Sequence, residues 1–271
     1  MGESQAERIK LMSMDGEPLP ISLAVTSFNE EARIVKCLAS ARGLVSEIVL
    51  VDSGSQDRTI ELAEREGARV IRQDWLGHSA QKQKALDHCR QPWVLILDCD
   101  EELSEELRKS IEEFFKSGDA NWFHGCRFNR KVRFLGRWIT HGDWYPDTKL
   151  RLVRRATARM GGNASHDTVL VEGAVKHLRG DLLHDSFPTI ASYVGKISPF
   201  ADEFAKRQKQ QGKRWSLAAN LFRPLWRFFR AYVLRLGFLD GFPGFWIAYA
   251  TAFSVFVRYS RNYEEAVSSK K

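Results

Sequence analysis

Cysteine is scarce in this chain of 271 residues, and its four copies, Cys37, Cys89, Cys99 and Cys126, fall in no C-x-x-C or other zinc-like spacing. The absence excludes a structural zinc site and predicts reduced thiols inside a cytosolic enzyme. Glycine-rich phosphate loops are missing too. The first apolar run leads into TSFNEE with no G-x-G-x-x-G turn, which excludes the dehydrogenase route to a pyrophosphate, and no G-x-x-x-x-G-K-S/T loop occurs. The opening MGESQAERIKLMSMDGEPLP carries charge throughout and no apolar run before a cleavage site. It predicts no signal peptide and a catalytic region on the cytoplasmic side.

What is present can bury one substantial core, or a core plus a smaller appended region, since 44% of residues are apolar. Forty-one basic against thirty-four acidic residues give a net charge of +7, an excess that attracts phosphates, nucleic acid or anionic lipid without choosing among them. Residues 21–26 (ISLAVT) read as a strand, and Asn29, Glu30 and Glu31 open a helical pattern with Ile34, Leu38 and Ala41 on one face. Further strand–helix pairs follow: 47–51 with 57–66, ended by Gly67, then 68–71 with 79–89, and a strand at 93–97. Four short apolar runs separated by helices predict an α/β domain with a mostly parallel central sheet, and ligands bind beyond the carboxyl ends of such strands. The polar groups at Asn29/Glu30, Asp52–Ser55 and Asp98–Glu101 each follow a strand, so they are expected on one edge.

The stretch Leu95-Ile96-Leu97-Asp98-Cys99-Asp100-Glu101 is the sharpest signal. Side chains two apart at a strand end reach the same side, where two carboxylates can hold Mg²⁺ or Mn²⁺ against a diphosphate leaving group. Helix capping is the plainer use of such aspartates, but Ser104 is already well placed to cap the helix that begins at Glu105.

These motifs, in this order, resemble the inverting GT-A glycosyltransferases of polysaccharide and lipopolysaccharide synthesis, closest to the lipopolysaccharide core β-glucosyltransferases that act on inner-core heptose. TSFNEE, DSGSQDRT, QKQKA and DCDE carry the resemblance within about residues 20–185. It implies a UDP-sugar donor whose nucleoside meets Asp52, with the backbone near Ser27–Asn29 lining the same pocket as Glu30. It further implies Lys82 near the base or diphosphate, Asp98 near the ribose and the metal, and Asp100 as metal ligand. Gln83 stands where those enzymes commonly carry asparagine, and Cys99 replaces a small residue. His184 would close the metal site from the far side, unless it serves locally with Asp185.

In the acceptor half, residues 121–134 read as an edge strand leading into a loop, and GRWITHGDWYP (136–146) suits either sugar stacking or a plain hydrophobic loop. Residues 149–155 alternate apolar and basic side chains, predicting a buried face and a positive face that would suit a phosphate-bearing acceptor. An inverting transfer needs a base to take the acceptor hydroxyl's proton. Relatives carry it in a His-Glu or Glu-Asp segment after the acceptor loop, a place held here by His166 and Asp167. Asp167 is therefore the expected base, His166 orients it or contacts phosphate, and Asp143, Asp147 and Glu172 are the rivals.

Beyond about Phe187 the composition shifts. Arg223, Arg227, Arg230 and Arg235 interleave with Trp226, Phe228, Phe229 and Tyr232, as in a helix lying among anionic headgroups. The uncharged run 242–257 has sixteen residues where a spanning helix wants about twenty. An interfacial hairpin is expected first, a span second and a buried helix third. The organisation expected is a 1–19 extension, a nucleotide-sugar half at 20–118, an acceptor and base half at 119–186, and a helical membrane-associating region at 187–271. The partners expected are the donor, a lipid-linked glycan acceptor and an anionic membrane at the cytoplasmic face of the bacterial inner membrane, with no nucleic acid. A metal-dependent phosphotransferase using Asp98 or Asp100, or a basic nucleic-acid binder, are the alternatives.

Overall fold

The computed structural model describes residues 17–163, 166–187 and 189–268, without the side chains of 163, 166, 167, 186, 187 and 266. Three strand–helix units and a fourth strand open the described residues: β1 (Leu19–Ser27), α1 (Ile34–Ser40), β2 (Val45–Asp52), α2 (Thr59–Arg65), β3 (Arg69–Arg72), α3 (His78–His88) and β4 (Trp93–Asp98). They are followed by β5 (Glu101–Leu103), α4 (Glu105–Lys116), β6 (Gly125–Phe134), β7 (Arg137–Trp138) and β8 (Asp147–Arg154). Next come β9 (Ala158–Asn163), β10 (His166–Val171), β11 (Val175–Phe187), and the helices α5 (Ile190–Gln210), α6 (Leu217–Phe229) and α7 (Gly241–Ser268).

The nine-stranded sheet runs β3-β2-β1-β4-β8-β6-β11-β5, with β7 against β6. Pairing is parallel through β3, β2, β1 and β4. It is antiparallel where β4 meets β8, where β11 meets β5 and where β6 meets β7. This corrects the expectation of a mostly parallel sheet: the domain is α/β with a mixed sheet. Between α4 and α5 the chain makes six of its strands and no α-helix, so it lacks the crossovers that parallel neighbours need. The expected edge strand at 121–134 is likewise corrected, because β6 lies between β8 and β11. Strands β9 and β10 form a separate antiparallel pair.

The chain divides into two compact units, the described parts of 1–130 with 148–184, and 131–147 with 185–271. In the first, β1 is buried on both faces. Ile21, Leu23 and Val25 join Trp93, Phe114 and Phe115 on one side, while Ala24 packs with Val49, Val51, Ala85 and Leu86 on the other. Ser104 caps α4, its hydroxyl accepting from Leu107 N at 3.2 Å, as the sequence predicts.

In the second unit, Phe134, Ile139 and Ile247 form a core with Trp144 and Trp246. The fully buried Asp240 accepts from Thr140 N, His141 N and the Thr140 hydroxyl at 2.8–3.0 Å. The Asp143 side chain, 1% exposed, meets Arg227, Arg230 and Arg235 at 2.6–3.2 Å. The run 242–257 occupies the first part of α7. No helix among the described residues is long and apolar enough to cross a membrane, which corrects the spanning alternative.

Candidate functional site

The carboxyl ends of β1, β2 and β4 carry the site. Parallel register sets Ser27 beside Asp52 and Thr26 beside Asp98, so three loops meet at one edge of the sheet. Asp52 is fully buried and closes its own loop. One oxygen accepts from the Ser27 and Ser55 hydroxyls at 2.7 and 2.5 Å, the other from Gly54 N and Ser55 N at 2.9 and 2.8 Å. Asn29, at a left-handed φ of 53°, ties the first loop to the second: Ser55 Oγ accepts from its N–H, and its side-chain oxygen accepts from Gln56 N, both at 2.8 Å. Glu30 donates its backbone N–H to Thr59 Oγ1 at 2.7 Å and pairs through its carboxylate with Arg33. Ser27, Asn29, Glu30 and Asp52 are thus brought together, as expected, and they order one another.

Lys82 on α3 is 6% exposed and pairs with Asp98 Oδ1 at 2.5 Å. The other Asp98 oxygen accepts from Arg151 on β8 at 2.8 Å, and the same guanidinium nitrogen reaches Glu101 Oε1 at 2.9 Å. Glu101 Oε2 accepts from Asp98 N, closing a ring of two buried cations and two carboxylates. Burial pushes the Asp98 carboxyl upward, but the charges of Arg151 and Lys82 outweigh it and hold the group well below the usual range.

Asp100 turns to a different partner, His184 Nε2 on β11, at 3.2 Å. Burial again raises the carboxyl, and the His184 hydrogen bond and charge bring it down on balance. The donors expected to share a metal therefore divide: Asp100 and His184 face each other, while Asp98 is held between Lys82 and Arg151. Among the described residues no three His, Cys, Asp or Glu side chains form a metal-holding group. Buried His184 Nδ1 has no hydrogen-bond partner there.

Sequence reasoning noted Glu101 within the acidic cluster and Arg151 within a basic face but gave neither a role at the site. Arg151 sits in the alternating 149–155 segment, whose basic face was expected to be exposed, yet Arg151 is 6% exposed. Only the antiparallel pairing of β8 with β4 brings it beside Asp98. Gln83, the departure from the family pattern, accepts from Met160 N at 2.7 Å and so ties α3 to β9. Cys99 is buried, and burial together with nearby carboxylates keeps its thiol well above its usual pKa, which suits packing.

Beside Asp98 opens a cavity of about 530 Å³, lined also by Arg127, Arg130, Thr148, Lys149, Leu150, Arg151, Thr168 and Val169. The side chains of His166 and Asp167 lie outside the described residues. Their backbone is in β10, where Asp167 pairs with Gly162 and directly precedes the cavity-lining Thr168. Of the rivals, Asp143 is engaged by its three arginines and Glu172 is exposed.

Acidic and amide groups gathered at the carboxyl ends of parallel strands define a ligand-binding α/β domain. Residues 22–176 match the family described as "Glycosyl transferase family 2". The chain belongs to that family and is a glycosyltransferase. It is 32% identical over 261 residues to an uncharacterized glycosyltransferase of Rickettsia felis, covering 92% of each chain. It is also 31% identical over 256 residues to the lipopolysaccharide core biosynthesis glycosyltransferase LpsC of Rhizobium meliloti, covering 89% of this chain and 94% of that one. Among solved structures it resembles S. aureus TarS 1-349 in complex with UDP, at 14% identity and a TM-score of 0.42, covering 93% and 92% of the two chains.

Proposed function

We propose that this glycosyltransferase moves a hexose, glucose by the sequence resemblance, from a UDP-sugar to a lipopolysaccharide core or related lipid-linked glycan with inversion at the anomeric carbon. The observation that carries this reading is the division of labour at the end of β4. Asp98 is fixed by Lys82 and Arg151, while Asp100 faces His184 across 3.2 Å. The relationship to a lipopolysaccharide core enzyme supports the acceptor class.

The Asp100–His184 pair fits a divalent cation. A carboxylate and an imidazole facing each other across 3.2 Å would be the side chains that hold it. Magnesium-like ions commonly take one or two protein ligands and complete their shell with phosphate oxygens and water, so a third side chain is not required. Bound there, the cation supplies charge that neutralises the departing diphosphate. Lys82 and Arg151 hold Asp98 ionised and in one rotamer, so that it can accept from donor hydroxyls. Asp167 takes the proton from the acceptor hydroxyl as that oxygen attacks the anomeric carbon, from the side opposite the diphosphate. His166 beside it orients the carboxylate or contacts phosphate.

Titration calorimetry with UDP tests the reading. Affinity is expected to fall at least about tenfold, or 1.4 kcal/mol, when Mn²⁺ is replaced by EDTA. Asp100→Ala should abolish that difference. Equal affinities in both buffers for the parent would rule out a metal at this place.

We also propose that the enzyme works at an anionic membrane surface on the cytoplasmic side. Phe242, Phe245, Tyr249, Phe253 and Phe256 recur at helical spacing along α7 and are all 40–64% exposed. On α6, Leu217, Leu221, Phe222, Leu225, Trp226 and Phe229 are 44–69% exposed. Apolar surface on this scale, interleaved with arginines, suits the headgroup region of a bilayer.

A further inference from the structure

Strands β9 and β10 stand outside the main ladder: among the described residues they pair with each other as a sheet of two. Yet β10 supplies Thr168 and Val169 to the wall of the cavity beside Asp98, and Asp167 directly precedes them. Two strands alone have little stability, so other elements must fix where this wall lies. Packing does part of it, since Met160, Val169 and Val171 join Ala85 and Leu86 of α3 in one apolar cluster. Apolar contact is non-directional, so the placement of the pair falls to hydrogen bonds.

Two of these come from α3. Gln83 Oε1 accepts from Met160 N at 2.7 Å, and the Ser79 hydroxyl donates to Gly161 O at 3.1 Å. Ser79, Lys82 and Gln83 are spaced i, i+3 and i+4, so they share one face of the helix. On that face Lys82 is buried and pairs with Asp98. One short helix thus holds the donor-side carboxylate with one residue and the β9–β10 pair with the next. Met160 lies opposite Val169 and Gly162 opposite Asp167, so a shift of β9 passes to the cavity wall.

We propose that Gln83 is a positioning residue: it transmits occupation of the donor site from Lys82 through α3 to the β9–β10 pair, and so sets the wall beside Asp167. The inference rests on the donor reading above, in which Asp98 accepts from donor hydroxyls. Lys82 is bound to that same carboxylate, and the helix that carries it therefore senses the donor. Gln83 passes the response on because its side chain reaches a strand N–H. Asparagine, one methylene shorter, would leave Met160 N unpaired.

The test follows amide hydrogen exchange of the full chain by mass spectrometry, reading peptides from 158–171 with and without UDP and Mn²⁺. In the parent, UDP should slow exchange there at least about threefold. Gln83→Asn and Gln83→Ala should lose that response while UDP affinity, by titration calorimetry, stays within about twofold. Gln83 also donates from Nε2 to exposed Asp87 at 2.7 Å. Gln83→Glu combined with Asp87→Asn reverses that bond, keeps an acceptor oxygen at the same reach, and should retain the response. In transfer from UDP-glucose to inner-core lipooligosaccharide, kcat is expected to fall about tenfold for Gln83→Asn, with the KM for UDP-glucose unchanged. A Gln83→Asn variant whose strand pair responds to UDP as the parent's does would overturn the proposal. So would a parent that binds UDP with no change in 158–171. A parent that binds no UDP would instead sink the donor reading, and this inference with it.

Discussion

Individual carboxylates in this chain have distinct work, and their partners say which. Asp98, Asp100 and Glu101 are sequence neighbours, yet one is clamped by Lys82 and Arg151, one faces a histidine, and one is fully buried beneath two guanidiniums. Asp98 is held ionised by its two cations, and in the reading proposed above Asp167 serves as the base. Asp167→Asn is expected to lower turnover by about 10²- to 10⁴-fold with UDP affinity nearly intact. Steady-state transfer within a few-fold of the parent would pass the role to Glu172. Glu47 offers a purely structural counterpart at the far end of the sheet. Its carboxylate accepts from Ser22 Oγ at 2.5 Å, Arg69 at 2.8 Å and Arg90 N at 2.8 Å. Burial works against ionisation there, but these hydrogen bonds and the Arg69 charge depress its pKa below 4.5. The stability it contributes is therefore complete above pH 4.5 and is lost as pH falls below that value through the folded pKa. Glu47→Gln should cost about 1–2 kcal/mol at pH 7, with the gap to the parent closing on acidification, as read by urea unfolding at pH 7 and pH 3.5. Of these groups, the acidic ones in the strand-end motifs were legible in the sequence. Arg151 was not, since a basic residue in an alternating strand reads as solvated until its neighbour is known.

At the scale of elements, β11 is the strand that completes the site, because it delivers His184 to Asp100. Its position depends on a close approach to the start of α4. Ser104 Oγ accepts from Asp181 N, and Ser104 N donates to Asp181 O, each at 3.1 Å. Gly180 precedes this contact with φ at +87°, and a Cβ there would meet Leu107 N at 2.4 Å and Leu107 Cα at 2.7 Å. Those are backbone atoms of a capped helix and cannot rotate aside. Gly180→Ala is expected to cost about 2 kcal/mol or more, a fall of roughly 5 °C in Tm. A Tm within a degree of the parent in thermal unfolding would show that β11 tolerates the displacement. The opening strand–helix units were legible because β1 is a continuous apolar run, α1 carries Ile34 and Leu38 on one buried face, and Gly67 follows the end of α2. β6 was misplaced at an edge because its basic side chains, among them Arg130, imitate a solvated strand while one of them reaches a buried carboxylate.

For the whole molecule, the exposed apolar faces of α6 and α7 are the feature a soluble enzyme has least use for. Burying one phenylalanine side chain in an apolar medium is worth about 1.5–3 kcal/mol, and each basic group at an anionic surface adds about 1 kcal/mol. The full chain is expected to float with liposomes rich in anionic lipid at low salt, and Phe222→Glu combined with Phe253→Glu should leave it in the dense fraction. A parent that stays wholly in the dense fraction would refute the membrane proposal. Release by high salt would indicate that arginine attraction dominates, whereas retention would indicate that apolar burial does. Helix α7, at 28 residues, is long enough to cross a bilayer by length alone, but its polar positions lower its mean hydropathy below what crossing demands.

The sequence by itself determined the α/β class, the strand–helix units, the helix cap at Ser104 and the acidic strand-end cluster at Asp98 and Asp100. These follow from periodicities and short-range chemistry, which operate over a few residues. Tertiary structure alone decided that the sheet is mixed, that Arg151 is buried against Asp98 and Glu101, and that Asp100 rather than Asp98 faces His184. Each of these joins residues about fifty or more apart. Such pairings depend on which strands become neighbours, and that is settled by the packing of the whole core rather than by any local preference of the chain.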